Sequence, residues 1–304
     1  MINTWPDSQW SAAELPEDLP ALDAWLQTRE SAEHELKPDN QARLVFHDPA
    51  KPVRTEISFV YIHGFSASPG EAGTQPQRLG RQFAGNVYVA RLPGHGTDRA
   101  DAMAGLTADR LYATADQALA MGRRIGERVV MIGTSLGAAL SIDLAARDPS
   151  GIAAVIAWSP AIRPSDAAMM QYLCTPGDAV EFSIQDRNAG HRQYWSSVVH
   201  RDAYRSLAGV LGSRMCEATF RRVFVPFLLA YFYRDETTQD RTASVEAMLE
   251  MYEGLGTDDA HKRKIAFSNG AHALASPSRS PDAEAVFEAT RRFLIEIAGI
   301  PAVG

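Results

Sequence analysis

The 304-residue sequence predicts an α/β fold in three layers, a mostly parallel sheet with helices on both faces, interrupted by a helical insertion. Three observations carry this expectation. Short, wholly apolar runs alternate with helical patterns, as expected for strands buried on both faces. The alternation stops near residue 160 and resumes near residue 225. A sharp glycine-flanked turn, Gly133-Thr134-Ser135-Leu136-Gly137, joins one of the apolar runs to a helical pattern.

Taken in order, Leu19–Leu36 has Leu22, Trp25, Leu26 and Arg29 at helical spacing. Ala42–His47 and Ile57–Ile62 are β-rich runs, Pro76–Phe83 is a helix and Val87–Leu92 a strand. Thr107 opens a helix to about Ile125, with Asp109 in its first turn. Val129–Ile132, Leu136–Ala146 and Ile152–Trp158 then read as strand, helix and strand. Residues 161–224 are rich in Met, Tyr, Arg and Ser without clear strands, and form the helical insertion. Strand Phe227–Tyr233, helix Val245–Leu255, strand Lys264–Phe267 and helix Ala283–Ile297 complete the pattern. The expected organisation is an extension over 1–40, a core over 41–160 and 225–304, and a cap over 161–224.

Composition removes several classes of function. The net charge of −7 argues against nucleic acid or an anionic membrane surface as partner. The apolar run Val223–Tyr233 is broken by Pro226 and falls short of the roughly 20 residues that span a bilayer, so no stable membrane anchor is expected. The first twenty residues carry four acids and no Lys or Arg, unlike a secretory signal, and the expected location is cytoplasmic. Cys174 and Cys216 form no CxxC pair and are read as free thiols. No histidine spacing fits a metal site, and no cofactor is implied. Nothing in the sequence specifies an oligomeric state.

The chemistry concentrates in four places. In the turn around Ser135, residues two before and two after the serine approach closely, which requires Gly133 and Gly137. The turn lifts the Ser135 hydroxyl above the strand ends and places the Leu136 N–H at a helix N-terminus, where developing negative charge is favoured. A dinucleotide site would instead need G-x-G-x-x-G and an acid about 20 residues on. His63-Gly64-Phe65-Ser66 follows an apolar strand and supplies a second backbone donor, Phe65. His63 itself reads as structural, and Leu92-Pro93-Gly94-His95-Gly96 as a tight loop near the site. His272, in the glycine loop after strand Lys264–Phe267, is the general base. Counting back from helix Val245–Leu255 gives Asp240 as the acid that orients it, and counting forward from the preceding strand gives Asp235. Asp240 is favoured, and the loop between them holds an extra turn. In the insertion, Met169, Met170 and Tyr172 are candidates to line an acyl pocket, a role suited to flexible methionine.

These motifs in this order, His-Gly-Phe-Ser-Ala-Ser, Leu-Pro-Gly-His-Gly-Thr, Gly-Thr-Ser-Leu-Gly and Gly-Ala-His, resemble the α/β-hydrolase superfamily, near bacterial carboxylesterases and monoacylglycerol-lipase-like hydrolases. The resemblance runs from about Ile57 to Phe293. It implies an eight-stranded sheet with a lid after the sixth strand, Ser135 as nucleophile, and Phe65 and Leu136 as oxyanion donors. The front of the chain leaves room for few strands before Ile57, so fewer than eight are expected. The expected activity is hydrolysis of small carboxylic esters with short or medium acyl chains. The rivals are cleavage of another acyl or C–C bond by the same residues, and a homologue that only binds small molecules.

Overall fold

The computed structural model describes residues 10–181 and 189–303. After a 3₁₀ turn at Ala12–Glu14 come α1 (Leu19–Ser31), β1 (Arg43–Val45), β2 (Thr55–Ile62), α2 (Gln75–Gln82), β3 (Asn86–Ala90), α3 (Ala108–Ile125), β4 (Gly126–Thr134), α4 (Leu136–Arg147) and β5 (Ile152–Trp158). The insertion contributes α5 (Ala167–Leu173), β6 (Ala179–Glu181), α6 (Ala189–Tyr194), β7 (Val198–His200), α7 (Arg201–Arg214) and α8 (Glu217–Phe220). The chain ends with β8 (Phe227–Asp235), β9 (Thr238–Gln239), α9 (Val245–Glu253), β10 (Lys262–Phe267) and α10 (Ala283–Glu296).

Alternate residues of the central strands enter two separate apolar layers. Val60, Ile62, Met131, Val155 and Leu229 face one, with the buried sides of α1, α3, α4 and α9. Phe59, Tyr61, Val130, Ile156 and Leu228 face the other, with Leu79 of α2 and Phe287 and Phe293 of α10. A strand covered on both faces has no polar side to show, and so reads as a continuous apolar run. The strand order is β1-β3-β2-β4-β5-β8-β10, parallel except for β1, which runs antiparallel to β3. The short β9 pairs antiparallel with β8 and brings the sheet to eight strands, but as a hairpin rather than as a strand of the main path. One strand precedes β2, so the insertion follows the fifth strand of this chain and not a sixth.

Two local expectations differ from the structure. Helix α1 stops at Ser31 rather than Leu36: the Ala32 N–H closes a tightened last turn on the Arg29 carbonyl, and beyond it Glu35 takes a left-handed conformation (φ 59°) that a continuing helix would not allow. The segment that leaves the helix folds back so that Glu30 and Glu33 both pair with the buried Arg91. The insertion is not wholly helical: β6 and β7 form an antiparallel ribbon, with Val180 opposite Val199. Three-residue, half-buried strands are too short to show a period-two pattern in the sequence. The insertion also shares the main core, since Val199, Ala203, Tyr204, Leu207 and Val210 join the layer built by α3 and α4.

Cys174 and Cys216 are both free. No helix among the described residues is long and apolar enough to cross a membrane.

Candidate active site

Ser135 stands between β4 and α4 in a conformation that L-residues avoid (φ 53°, ψ −113°). The surroundings hold it there. Its N–H donates to the Trp158 carbonyl (3.0 Å), and its own carbonyl accepts from Ala138, Ala139 and Ala161. A Cβ on Gly133 would lie 2.3 Å from the Ala138 nitrogen, and one on Gly137 only 1.9 Å from the Ile62 carbonyl oxygen. Glycine is therefore required at both positions by backbone, not by side chains. Ser135 is 6% exposed, opening only into the cavity above the strand ends.

His272 lies in the loop after β10. Its Nε2 is 2.8 Å from Ser135 Oγ and its Nδ1 is 2.7 Å from Asp240 Oδ2. The other Asp240 oxygen accepts the N–H groups of Thr242 (2.8 Å) and Ala243 (3.1 Å). Burial pushes the Asp240 carboxyl up, but the charge and hydrogen bond of His272 and the two N–H donors outweigh it, so its pKa falls below the usual carboxylate value. Burial likewise pulls the imidazole of His272 down. The charge and hydrogen bond of Asp240, helped by the charge of Glu71, reverse this and raise its pKa. The result is a directed chain of hydrogen bonds from a buried carboxylate through an imidazole to a serine hydroxyl.

Asp235 is not part of it. It stands at the far end of β8, where its Oδ1 accepts the Thr237 and Thr238 N–H groups and the Thr237 hydroxyl. The extra residues of this loop form the β8–β9 hairpin, which projects outward and returns. The Asp240 N–H then donates to the Phe232 carbonyl (3.2 Å), back beside the body of the strand. The hairpin accounts for the five residues separating the two candidate acids.

The remaining candidates divide. The backbone N–H groups of Phe65 and Leu136 donate to no acceptor among the described residues; Phe65 lines the same cavity as Ser135, and Leu136 follows Ser135 directly as the first residue of α4. His63 is fully buried. Its Nε2 accepts the Leu92 N–H (3.0 Å), which leaves the proton on Nδ1 to donate to the Gly64 carbonyl (2.8 Å). Burial holds its pKa well below the ordinary histidine value, so it is a neutral strut between the loop after β3 and the Gly64 turn. His95 is similarly buried, its pKa lowered to about 4 chiefly by desolvation. Among the described residues no group of three His, Cys, Asp or Glu side chains could hold a metal ion.

The cavity over Ser135 measures about 320 Å³. Met170 lines it, whereas Met169 and Tyr172 are 53% and 60% exposed and do not. Neighbouring residues of a helix point about 100° apart, so α5 turns only one of its two methionines inward. The Tyr172 ring lies instead against the Arg201 guanidinium, 5.1 Å from its centroid. The sequence reading overlooked Tyr204, Leu207 and Leu211, which with Trp195 line the apolar side of the cavity, and the buried Glu71. Tyr204, Leu207 and Leu211 recur at helical spacing on α7, a signal that was legible but equally consistent with ordinary packing.

Several solved structures share this architecture. One, described as LipS and LipT, two metagenome-derived lipolytic enzymes, superposes with a TM-score of 0.71 at 22% identity, covering 86% of this chain and 99% of its own. A Paleococcus ferrophilus monoacylglycerol lipase gives a TM-score of 0.64 at 19% identity, covering 84% and 97%. A soluble variant of the Saccharomyces cerevisiae monoglyceride lipase gives 0.66 at 10% identity, covering 84% and 90%. A comparison with curated protein sequences finds no significant match. The sequence profile of the alpha/beta hydrolase family matches residues 59–289, more than half of the chain and all of the region that builds the site. The chain belongs to the alpha/beta hydrolase family.

Proposed function

We propose that this protein is a serine hydrolase that cleaves carboxylic esters of short or medium acyl chains. The observation that carries this reading is the hydrogen-bonded chain from Asp240 through His272 to Ser135, at 2.7 and 2.8 Å. His272 takes the Ser135 proton as the hydroxyl oxygen attacks the ester carbonyl, and returns it to the departing alcohol. Asp240 keeps the imidazole proton on Nδ1, so that Nε2 faces the serine, and stabilises the imidazolium that forms. The N–H groups of Phe65 and Leu136 receive the negative charge of the tetrahedral intermediate, each worth about 3–4 kcal/mol by analogy with other acyl-transfer sites. Water then attacks the acyl-enzyme by the same route and releases the acid.

The substrate class rests on the cavity. At about 320 Å³ it is near the small end of the roughly 300–1,000 Å³ common for ligand sites, and its walls are largely apolar. Residues 161–224 act as the cap over the core of 41–160 and 225–304, with Met170, Trp195 and Tyr204 contributing the acyl-binding wall. The lipases and esterases among the similar structures support ester cleavage as the reaction. The test is a series of p-nitrophenyl esters of increasing chain length. Activity is expected to peak at short or medium chains and to fall by roughly 10⁴–10⁶ in kcat in Ser135→Ala. Activity rising steadily to long-chain emulsions, or a Ser135→Ala enzyme near wild type, would contradict the reading.

A further inference from the structure

The loop after β2 carries a carboxylate that acyl transfer as described does not use. In Ser66-Ala67-Ser68-Pro69-Gly70-Glu71-Ala72-Gly73 it is the one charged residue. Glu71 is 3% exposed and borders the same cavity as Ser135. Its Oε2 accepts the Gly64 N–H (2.7 Å) and the Tyr61 hydroxyl (2.9 Å). The Tyr61 oxygen is in turn 3.0 Å from the hydroxyl of Thr134, the residue directly before Ser135. A Cβ placed on Gly64 would lie 3.0 Å from Glu71 Oε1 and 3.4 Å from Ser135 Cβ, so Gly64 separates the carboxylate from the nucleophile. No Lys or Arg pairs with Glu71 among the described residues, and its partners are neutral donors. Burial pushes its pKa up to about 7. Uncompensated burial of a carboxylate costs stability, so a neutral side chain would serve packing alone better.

We propose that Glu71 is a positioning residue of the hydrolase site, fixing the turn that presents the Phe65 N–H and coupling that turn to the strand end that carries Ser135. The inference rests on the serine-hydrolase reading above. Two consecutive peptide planes meet at Gly64. Glu71 holds the N–H of the first, and His63 Nδ1 and the Ala67 N–H hold the carbonyl of the second. Because a trans peptide points its C=O and N–H in opposite directions, fixing the Gly64 carbonyl aims the Phe65 N–H away from it. Glycine at 64 tolerates many conformations, so both planes need an external hold. An oxyanion donor works only within about 2.7–3.1 Å of the developing charge. The negative charge of Glu71 also favours the imidazolium of His272. The titratable and charged groups that face Glu71 are Tyr61 on β2 and His272 after β10, with His191, Arg163 and Arg279 on the wall of the shared cavity.

The experiment compares Glu71→Ala, Glu71→Gln and Tyr61→Phe with the wild type in kcat, KM and the pH profile of kcat/KM, after circular dichroism has established folding. Glu71→Ala is expected to lose about 10²-fold in kcat, the scale of a misplaced reacting group, with KM changed by less than about threefold. Glu71→Gln keeps an acceptor for the Gly64 N–H and so recovers most of kcat. It loses the charge, so the acid limb of its profile moves to lower pH, a shift that a purely structural role would not produce. Tyr61→Phe falls between wild type and Glu71→Ala, and with Glu71→Gln it decides the matter if Glu71→Ala does not fold. Wild-type kcat and an unmoved acid limb in the Glu71 variants would overturn the inference while leaving the hydrolase reading intact, as would a rise in KM alone. A wild-type protein that hydrolyses no ester would overturn the hydrolase reading, and this inference with it.

Discussion

The turns that carry Ser135 and Asp240 meet at the same imidazole but are held in opposite ways. The serine turn is strained and closed. Its φ is positive, and its glycine neighbours approach backbone atoms too closely for any other residue. Three backbone N–H groups converge on the Ser135 carbonyl. The aspartate follows a hairpin whose tip is exposed, and it is held through a few hydrogen bonds made after the chain has returned to β8. The serine turn therefore tolerates no change of length or side-chain volume. The aspartate turn can be lengthened at its tip so long as the returning strand delivers the carboxylate to the same place. A strained conformation persists only where the surroundings over-determine it, and here those surroundings are the ends of β2 and β5.

Substitutions that separate the two kinds of constraint follow, the largest effect first. Asp240→Asn should lower kcat on p-nitrophenyl butyrate by about 10⁴, because an amide no longer holds the imidazole in the working tautomer or stabilises its charged form. The fold should survive, as the loss is one of charge rather than of volume, and a thermal melt checks this. Gly137→Ala should act on folding instead. Its Cβ would meet the Ile62 carbonyl at 1.9 Å, and a destabilisation of at least about 3 kcal/mol is expected in urea unfolding. Asp235→Asn should change kcat by less than about threefold, since that side chain bonds only within its own exposed turn. A large loss of kcat in Asp235→Asn with little in Asp240→Asn would invert the comparison.

The same contrast decides which features are legible in the sequence. Strands β2, β4, β5 and β8 were legible because burial on both faces leaves almost no polar position away from their ends, Ser58 of β2 being the exception. Ser135 was legible because the steric demand on its turn is local and shows up as glycine two residues to either side. The choice between Asp240 and Asp235 was narrowed but not decided by counting, because the β8–β9 hairpin separates position in sequence from position in space. Glu71 was missed for a related reason. It lies in a run of small residues that reads as a plain loop, and its importance arises from Tyr61, Gly64 and Thr134, which only folding brings to it. Met169 and Tyr172 were misjudged because a seven-residue helix gives too few positions to assign its inward face.

The central claim, that Ser135 is an activated nucleophile, is tested most directly by treating the folded protein with a fluorophosphonate probe and mapping the adduct by mass spectrometry. A single adduct on Ser135 is predicted, absent in Ser135→Ala and strongly slowed in His272→Ala, because the reaction requires a base at 2.8 Å from the hydroxyl. No adduct on Ser135 in folded wild-type protein, with p-nitrophenyl butyrate also left intact, would contradict the account.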